Sequence, residues 1–454
     1  MNPKRITLAL ALVLNVLALL CVGTATAAEM PEDARLISGP QTLRQLQAFA
    51  LKHNPEVSAS TFDRQAAEAR SKGAHGARLP RLSIESGYNR YDPDLRLTAA
   101  RFNGELGVFG DNILTNDLVL RLPLFTGGRL VAEVRAAELL EASAGQRLVR
   151  SRGDLVFNVS SLYFSMLAQQ RLIASLALSA EALTSHLAQV QALIAGRKAA
   201  AVDSLRSEVK LADIGQRLLR EQNILAIQRQ SLLNLLGVSA AADFVLADEL
   251  EPPKAEEASI DALVETALQQ RPDIVAARHE LNAQAARLDA ARSGHWPTVN
   301  LIAAVGNRTM NDPVQQPKGL SSNDHVSRVG VTLEIPLFEG GRTAARIDEE
   351  RAKLNAQRER VEKLLLQVRL DVTSARANLA SAQVRLKSTE KAAELAAKVT
   401  AIEREKYALG RGTQLDVLDA QSALIDADAN HIRALADANI SKVQLLWAKG
   451  ETAQ

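Results

Sequence analysis

A twelve-residue stretch occurs twice in this chain and limits its fold more than any other feature. The first copy reads Leu118-Val-Leu-Arg-Leu-Pro123-Leu-Phe125-Thr-Gly127-Gly128-Arg129, and the second Val331-Thr-Leu-Glu-Ile-Pro336-Leu-Phe338-Glu-Gly340-Gly341-Arg342. Each begins as an alternating apolar strand, turns at a proline and two glycines, and runs into a long Ala/Glu/Arg-rich helical pattern. One fixed offset carries Pro123 onto Pro336, Phe125 onto Phe338 and Gly128 onto Gly341. The chain is therefore a tandem duplication, and each half is read against the other. One such turn would be an ordinary strand-to-helix connection. Two of them, each between an alternating strand and a helix of unusual length, read as junctions between a membrane and the periplasm.

The N-terminus supports that setting. Lys4 and Arg5 precede an apolar run from Ile6 to Val22 and then Ala25-Thr26-Ala27-Ala28, which is the pattern of a signal peptide over 1–28. The run is short for a transmembrane helix, and no later stretch is long enough to be one. Cys21 is the only cysteine and lies inside this segment, with Leu20 where a lipidation site needs a small residue. A mature chain without cysteine has no disulfide and no thiolate catalysis or thiolate metal site. Loss of Lys4 and Arg5 takes the basic residues from 54 to 52, against 52 acids, so no basic face for nucleic acid is expected. Aromatic residues are 3% of the sequence, while Ala, Leu, Gln, Glu and Arg dominate. That is the composition of long packed helices, and linkers that would divide globular domains are lacking.

Taken in order, 29–236 forms a first structural repeat. Its helical pattern around Leu43–Leu51 stops at Asn54-Pro55, and a second helix runs to about Ala77. Strands follow near 80–91 and 116–125, then a long helix over 128–195 and a return helix over 202–236. Residues 237–259, with Pro252-Pro253, read as a linker. The second repeat, 260–454, has its helix break at Arg271-Pro272, strands near 297–308 and 328–338, a long helix over 341–409 and a return helix over 415–447. Neither long helix contains proline, and each would span roughly 100 Å at 1.5 Å per residue. The four strands alternate with period two over about the length that crosses a bilayer in a tilted barrel. The loops between them, Asp92–Asn116 and Thr309–Ser327, are polar.

Four strands cannot close a barrel, and a bilayer tolerates no open sheet edge. Subunits must then share one barrel: two copies give eight strands, too narrow for an open pore, and three give twelve. The expected fold is mainly α with a β-barrel part. It is a trimeric channel with a shared twelve-stranded membrane barrel, four strands per chain, continued by a periplasmic α-helical barrel of long coiled-coil helices.

The chain resembles the TolC family of outer-membrane efflux and secretion channels over essentially its whole mature length. The resemblance rests on the duplication, both Pro-Leu-Phe-x-Gly-Gly junctions (Pro123, Gly127 and Gly128; Pro336, Gly340 and Gly341), and the helix breaks. Its most specific part is the stretch Tyr407-Ala-Leu-Gly410-Arg-Gly-Thr-Gln-Leu-Asp416-Val-Leu-Asp419-Ala-Gln421. It implies a homotrimer in outer-membrane lipid, a periplasmic adaptor (membrane fusion) protein and an inner-membrane pump of the RND or ABC type. The duct would conduct the pump's substrates passively, with no catalysis and no cofactor. A secreted periplasmic structural coiled-coil or adaptor protein is the other reading. It explains the helices but not the strands, and fractionation separates the two.

The resemblance also places the entrance at the turn between each long helix and its return partner. Asp416 and Asp419 match the acidic constriction. Their i, i+3 spacing puts both carboxylates on one helical face, which is also how a plain solvated face looks. Tyr407 and Asp203, the latter at the repeat offset from Asp416, match an entrance latch. The family's arginine is replaced by Gly412, leaving Arg411 or Arg197 to take its place. The seven histidines show no metal-binding spacing, Gly127-Gly128 lacks the lysine of a phosphate loop, and Trp296 suits either a membrane interface or simple packing.

Overall fold

A computed structural model describes residues 39–90, 112–197, 199–238, 244–254, 258–310 and 323–451. The expected signal peptide, Cys21 and most of both strand-connecting loops lie outside the described residues.

The first half contains β1 (Gly39–Gln41), α1 (Leu43–His53), α2 (Pro55–Gly76), β2 (Arg81–Arg90), β3 (Asn112–Phe125), α3 (Arg129–Ala195) and α4 (Ala201–Leu235). The second contains β4 (Phe244–Leu246), α5 (Ile260–Gln270), α6 (Pro272–Arg292), β5 (Thr298–Met310), β6 (Asn323–Glu334), α7 (Arg342–Ala408) and α8 (Gln414–Lys449).

The two long helices, α3 and α7, have 67 residues each, about 100 Å at 1.5 Å per residue. Their buried positions recur every seven residues: Leu148, Leu155, Leu176, Leu183 and Val190 on α3, and Leu354, Val361, Val368, Ala375 and Ala382 on α7. This is coiled-coil packing, in which α3 lies against α4, α7 against α8, and α8 back against α3. Gln169 occupies a place in the α3 series and is satisfied by Glu221 of α4, its Nε2 donating to Oε2 at 2.7 Å. Nearer the sheet, α2 packs against α3, and α6 packs against both α3 and α7.

The helix breaks show how the two halves diverged. Asn54 ends α1 and caps α2, its Oδ1 accepting from the amides of Glu56 (2.8 Å) and Val57 (3.2 Å), with Pro55 preset for the first helical position. At the matching break Arg271 has no capping oxygen. Its guanidinium is buried instead, donating to Asp273 (2.6 Å), Asp371 (3.0 Å) and the carbonyl of Ala448 (3.3 Å), with its Cζ 5.7 Å from the Trp447 ring centre.

Strands β2, β3, β5 and β6 form one antiparallel sheet in that order. The register sets Leu82, Leu120, Ala303 and Val329 in one row, and Ile84, Leu118, Val305 and Ser327 in the next. One face is thus apolar and largely exposed. The other carries Arg121 paired with Glu85 and Arg308 paired with Asp117, each through two hydrogen bonds.

Several strand boundaries differ from the expectation, with β3 beginning at Asn112 and β6 at Asn323, inside the stretches read as loops. β6 ends at Glu334, leaving Ile335 to Phe338 outside the ladder. Pro336 has no N–H to give, and β5 begins opposite Glu334, so nothing is left to pair with. Pro123 stays inside β3 because a register shift between Pro123 and Phe125 absorbs it. The segment read as a linker contains β4, which pairs in parallel with β1, Gly39 opposite Phe244 and Gln41 opposite Leu246.

The duplicated glycines share one backbone but not one environment. Gly127 and Gly340 both have φ near +62°, and Gly128 and Gly341 have φ of +90° and +80° at the starts of α3 and α7. A Cβ on Gly127 would lie 2.5 Å from Trp296 Cβ and 2.9 Å from the Ser293 carbonyl, whereas one on Gly340 would meet nothing. Gly340→Ala should therefore cost only the left-handed backbone, about 1–2 kcal/mol. Gly127→Ala should add about 1–3 kcal/mol of overpacking. Thermal melts of the two variants check this, and equal losses would show that Trp296 moves aside freely.

Candidate functional site

The ends of the long helices opposite the sheet build two adjacent turns. α7 closes with Gly410 at φ +71°. The Gly410 amide donates to the Tyr407 carbonyl (3.0 Å) and the Arg411 amide to the Lys406 carbonyl (2.8 Å), the paired bonds of a Schellman motif. α3 closes with Arg197, whose amide donates to the Ile194 carbonyl at 2.9 Å. Arg197 is the counterpart of Gly410 in the first repeat and takes the same left-handed backbone, φ +56°, the only non-glycine to do so among the described residues. An arginine there costs roughly 1–2 kcal/mol that glycine would not.

Asp416 and its repeat counterpart Asp203 do the same local work. Asp416 lies at the third position of α8 and closes a capping box with Thr413. The Thr413 hydroxyl and amide donate to its Oδ2 at 2.7 and 3.0 Å, and the Asp416 amide donates to the Thr413 hydroxyl at 3.2 Å. The hydrogen bonds from the Thr413 side chain and backbone hold the Asp416 carboxyl below its ordinary pKa. Asp203 accepts from the Ala200 amide at 3.4 Å at the start of α4. Asp419, one turn beyond Asp416, is exposed, and its carboxylate has no hydrogen bond or ion pair among the described residues.

The latch candidates are partly brought together. Tyr407 is half-buried, and burial followed by the charge of Asp203 raises its hydroxyl pKa. The two are electrostatic neighbours without a hydrogen bond. Arg197 and Arg411 are exposed at the turns, and among the described residues neither pairs with Asp203 or Asp416.

What joins the two hairpins within the chain is a buried polar relay that sequence reasoning missed. His186 Nε2 of α3 lies 2.8 Å from Gln414 Oε1 of α8, and Gln414 Nε2 donates to Ser207 Oγ of α4 at 2.8 Å. The His186 ring packs edge-on against Tyr407 of α7, centroids 5.5 Å apart, so all four helices meet at this layer. A signal existed: His186 sits three residues after Leu183, on the apolar seam of a coiled coil, where a polar side chain demands a partner. Alongside runs a groove of about 810 Å³ lined by Ser185, His186, Gln189, Arg404 and Tyr407. A second cavity, of about 510 Å³, lies further along α3 and α8 beside Asp428 and His431. Among the described residues, no three His, Cys, Asp or Glu side chains are grouped to hold a metal.

The sequence model of the outer membrane efflux protein family matches residues 47–238 and 263–451. Protein CyaE of Bordetella pertussis is 28% identical over 388 residues, covering 83% of this chain and 80% of that one. The outer membrane protein TolC of Vibrio cholerae is 23% identical over 412 residues, 90% of this chain and 91% of its own. The crystal structure of the outer membrane protein VceC from Vibrio cholerae superposes with a TM-score of 0.75 at 19% identity, covering 91% of this chain and 97% of that one. The last likeness is one of fold.

Proposed function

The chain belongs to the outer membrane efflux protein family, and from that premise we propose how it assembles and where it closes. It is an outer-membrane efflux duct of a Gram-negative cell that reaches into the periplasm. Its fold and family are those of channel proteins.

Three copies share one twelve-stranded barrel. The observation that carries this reading is the sheet, which has one largely apolar exposed face, one ion-paired face and two edges without a neighbour among the described residues. From Leu122 to Leu114 this face of β3 rises through eight residue steps, apolar except at Asn116, which is hydrogen-bonded to Ser86 and Asn307. That is about 26 Å along the strand and roughly 20 Å of membrane thickness at the tilt of a barrel. Phe125, Trp296 and Phe338 lie exposed at its periplasmic border, where aromatic girdles sit.

The helical hairpins form the periplasmic tunnel. Its tip closes where Asp416 and Asp419 ring the axis, with Tyr407, Asp203, Arg411 and Arg197 as contacts between hairpins. The groove beside His186 and the cavity beside His431 receive a periplasmic adaptor, which links the duct to an RND- or ABC-type inner-membrane pump. The pump selects the cargo. Mass measurement in mild detergent should give three chains per particle, with discrete conductance in a planar bilayer. A monomer without conductance would refute the assembly.

A further inference from the structure

The sheet ends on β2 at one side and β6 at the other, and neither has a further neighbour among the described residues. Strand direction alternates across β2, β3, β5 and β6, so β2 and β6 run in opposite senses. β6 of one copy can therefore continue antiparallel onto β2 of the next.

Which residues meet there follows from parity and tilt. Even-numbered residues of β2 and odd-numbered residues of β6 occupy the apolar face, so only registers that pair even with odd keep both apolar rows on one side. Strands about 4.8 Å apart and tilted roughly 35–45° are displaced about 13–19 Å after four strands, or about four to six residues at ~3.3 Å each. Gly330 shares a cross-strand row with Arg81 through Ile302 and Arg121. A stagger of about four residues sets Gly330 opposite Glu85 of the next copy and Glu334 opposite Arg81. Every residue of β2 then has a partner within β6. A stagger of about six would put Arg81 opposite Pro336, beyond the end of β6 and without an N–H.

The chemistry of the shorter stagger is complementary on both faces. Leu82 faces Leu333 and Ile84 faces Val331 on the apolar side, while Ser83 faces Thr332 and Glu85 faces Gly330 on the other. Arg81 and Glu334 are both exposed, and neither has an ion partner among the described residues. Arg121 and Arg308, by contrast, are each held by a carboxylate of their own chain. The spare cation and the spare anion thus stand at the periplasmic ends of opposite edges.

We propose that β2 of one copy docks β6 of the next with Arg81 opposite Glu334, and that this ion pair fixes the register of the seam on the lumenal face. The proposal rests on the trimeric reading above and adds its residue-level geometry.

Cysteine pairs test it in the full-length protein, whose one native cysteine, Cys21, precedes the barrel. Directly opposite residues lie within disulfide reach, while residues shifted by two do not. On oxidation Leu82→Cys/Leu333→Cys should cross-link into covalent trimers, with roughly tenfold more product than Ile84→Cys/Leu333→Cys. Arg81→Glu should lower the temperature at which the trimer dissociates in SDS, and the exchange Arg81→Glu/Glu334→Arg should restore it. If particles of trimeric mass cross-link better through the shifted pair, or the exchange restores nothing, the register is overturned while the assembly stands. If every variant and the parent are monomeric by mass, the trimeric reading itself is overturned, and the seam with it.

Discussion

Arg271→Ala should remove about 3–5 kcal/mol of folding stability, because it deletes the cation of a buried cluster and leaves the anions behind. Arg271 is only 2% exposed. Its guanidinium satisfies Asp273, Asp371 and the Ala448 carbonyl at once, tying the start of α6 to α7 and to the end of α8. Arg150 stacks over the same Trp447 ring at 4.2 Å, and the Trp447 indole donates to Asp154 at 2.6 Å. Burial alone would raise the Asp273 carboxyl. The hydrogen bond and charge of Arg271, with the charge of Arg150, outweigh it and hold the pKa below its ordinary value. An acid with a depressed pKa contributes stability that is present above the unfolded pKa, near pH 4, and is lost as pH falls through the folded pKa. In the variant burial acts without the main counterion, so the sign reverses and acid relieves part of the loss. Melts of the helical signal in detergent at pH 5 and pH 8 should show the larger deficit at pH 8. Arg271→Lys keeps the charge but cannot reach three acceptors, and should fall between. A loss under about 1 kcal/mol, with no dependence on pH, would mean that the cluster behaves as a solvated surface pair.

How legible such features are depends on how local they are. The lengths of α3 and α7 follow from an unbroken helical period without proline, and the junctions from glycines that recur at a fixed offset. The β1–β4 pair was not legible. Its strands are too short to carry a measurable period, and Gly39 meets Phe244 across almost half of the chain. The Arg271 cluster was invisible for the same reason: its partners Asp371 and Ala448 are far along the chain. At the tip, Thr413-x-x-Asp416 is a readable capping pattern, so one residue serves both a local helix start and a candidate ring of charge. The His186–Gln414–Ser207 relay joins residues more than two hundred positions apart, and only the oddity of a histidine on an apolar seam hinted at it. The left-handed Arg197 could be foreseen from its offset to Gly410 alone, since arginine gives no such signal.

Asp416 closes the capping box at the start of α8, and this decides how its proposed place at the entrance should be tested. Alanine there would remove the acceptor of the Thr413 hydroxyl and amide, so a change in conduction could come from a frayed α8 rather than from lost charge. Asparagine keeps an oxygen in place and removes only the charge. The double variant Asp416→Asn/Asp419→Asn is therefore expected to keep its trimer and its helical signal while losing most of its preference for cations. Block by a trivalent cation added from the periplasmic side should weaken by about tenfold or more, the scale on which a charged constriction concentrates counter-ions. Within one chain the Asp416 carboxyl is depressed by its Thr413 hydrogen bonds. Three copies around an axis would oppose that depression through like charge. Cation selectivity of the parent should therefore fall as pH drops into the carboxylate range, and that of the double variant should stay flat. Single-channel recordings across a pH series read both effects. A double variant with the parent's selectivity, block and pH response would make these two carboxylates plain helix-end acids and would put the narrowest point of the duct elsewhere.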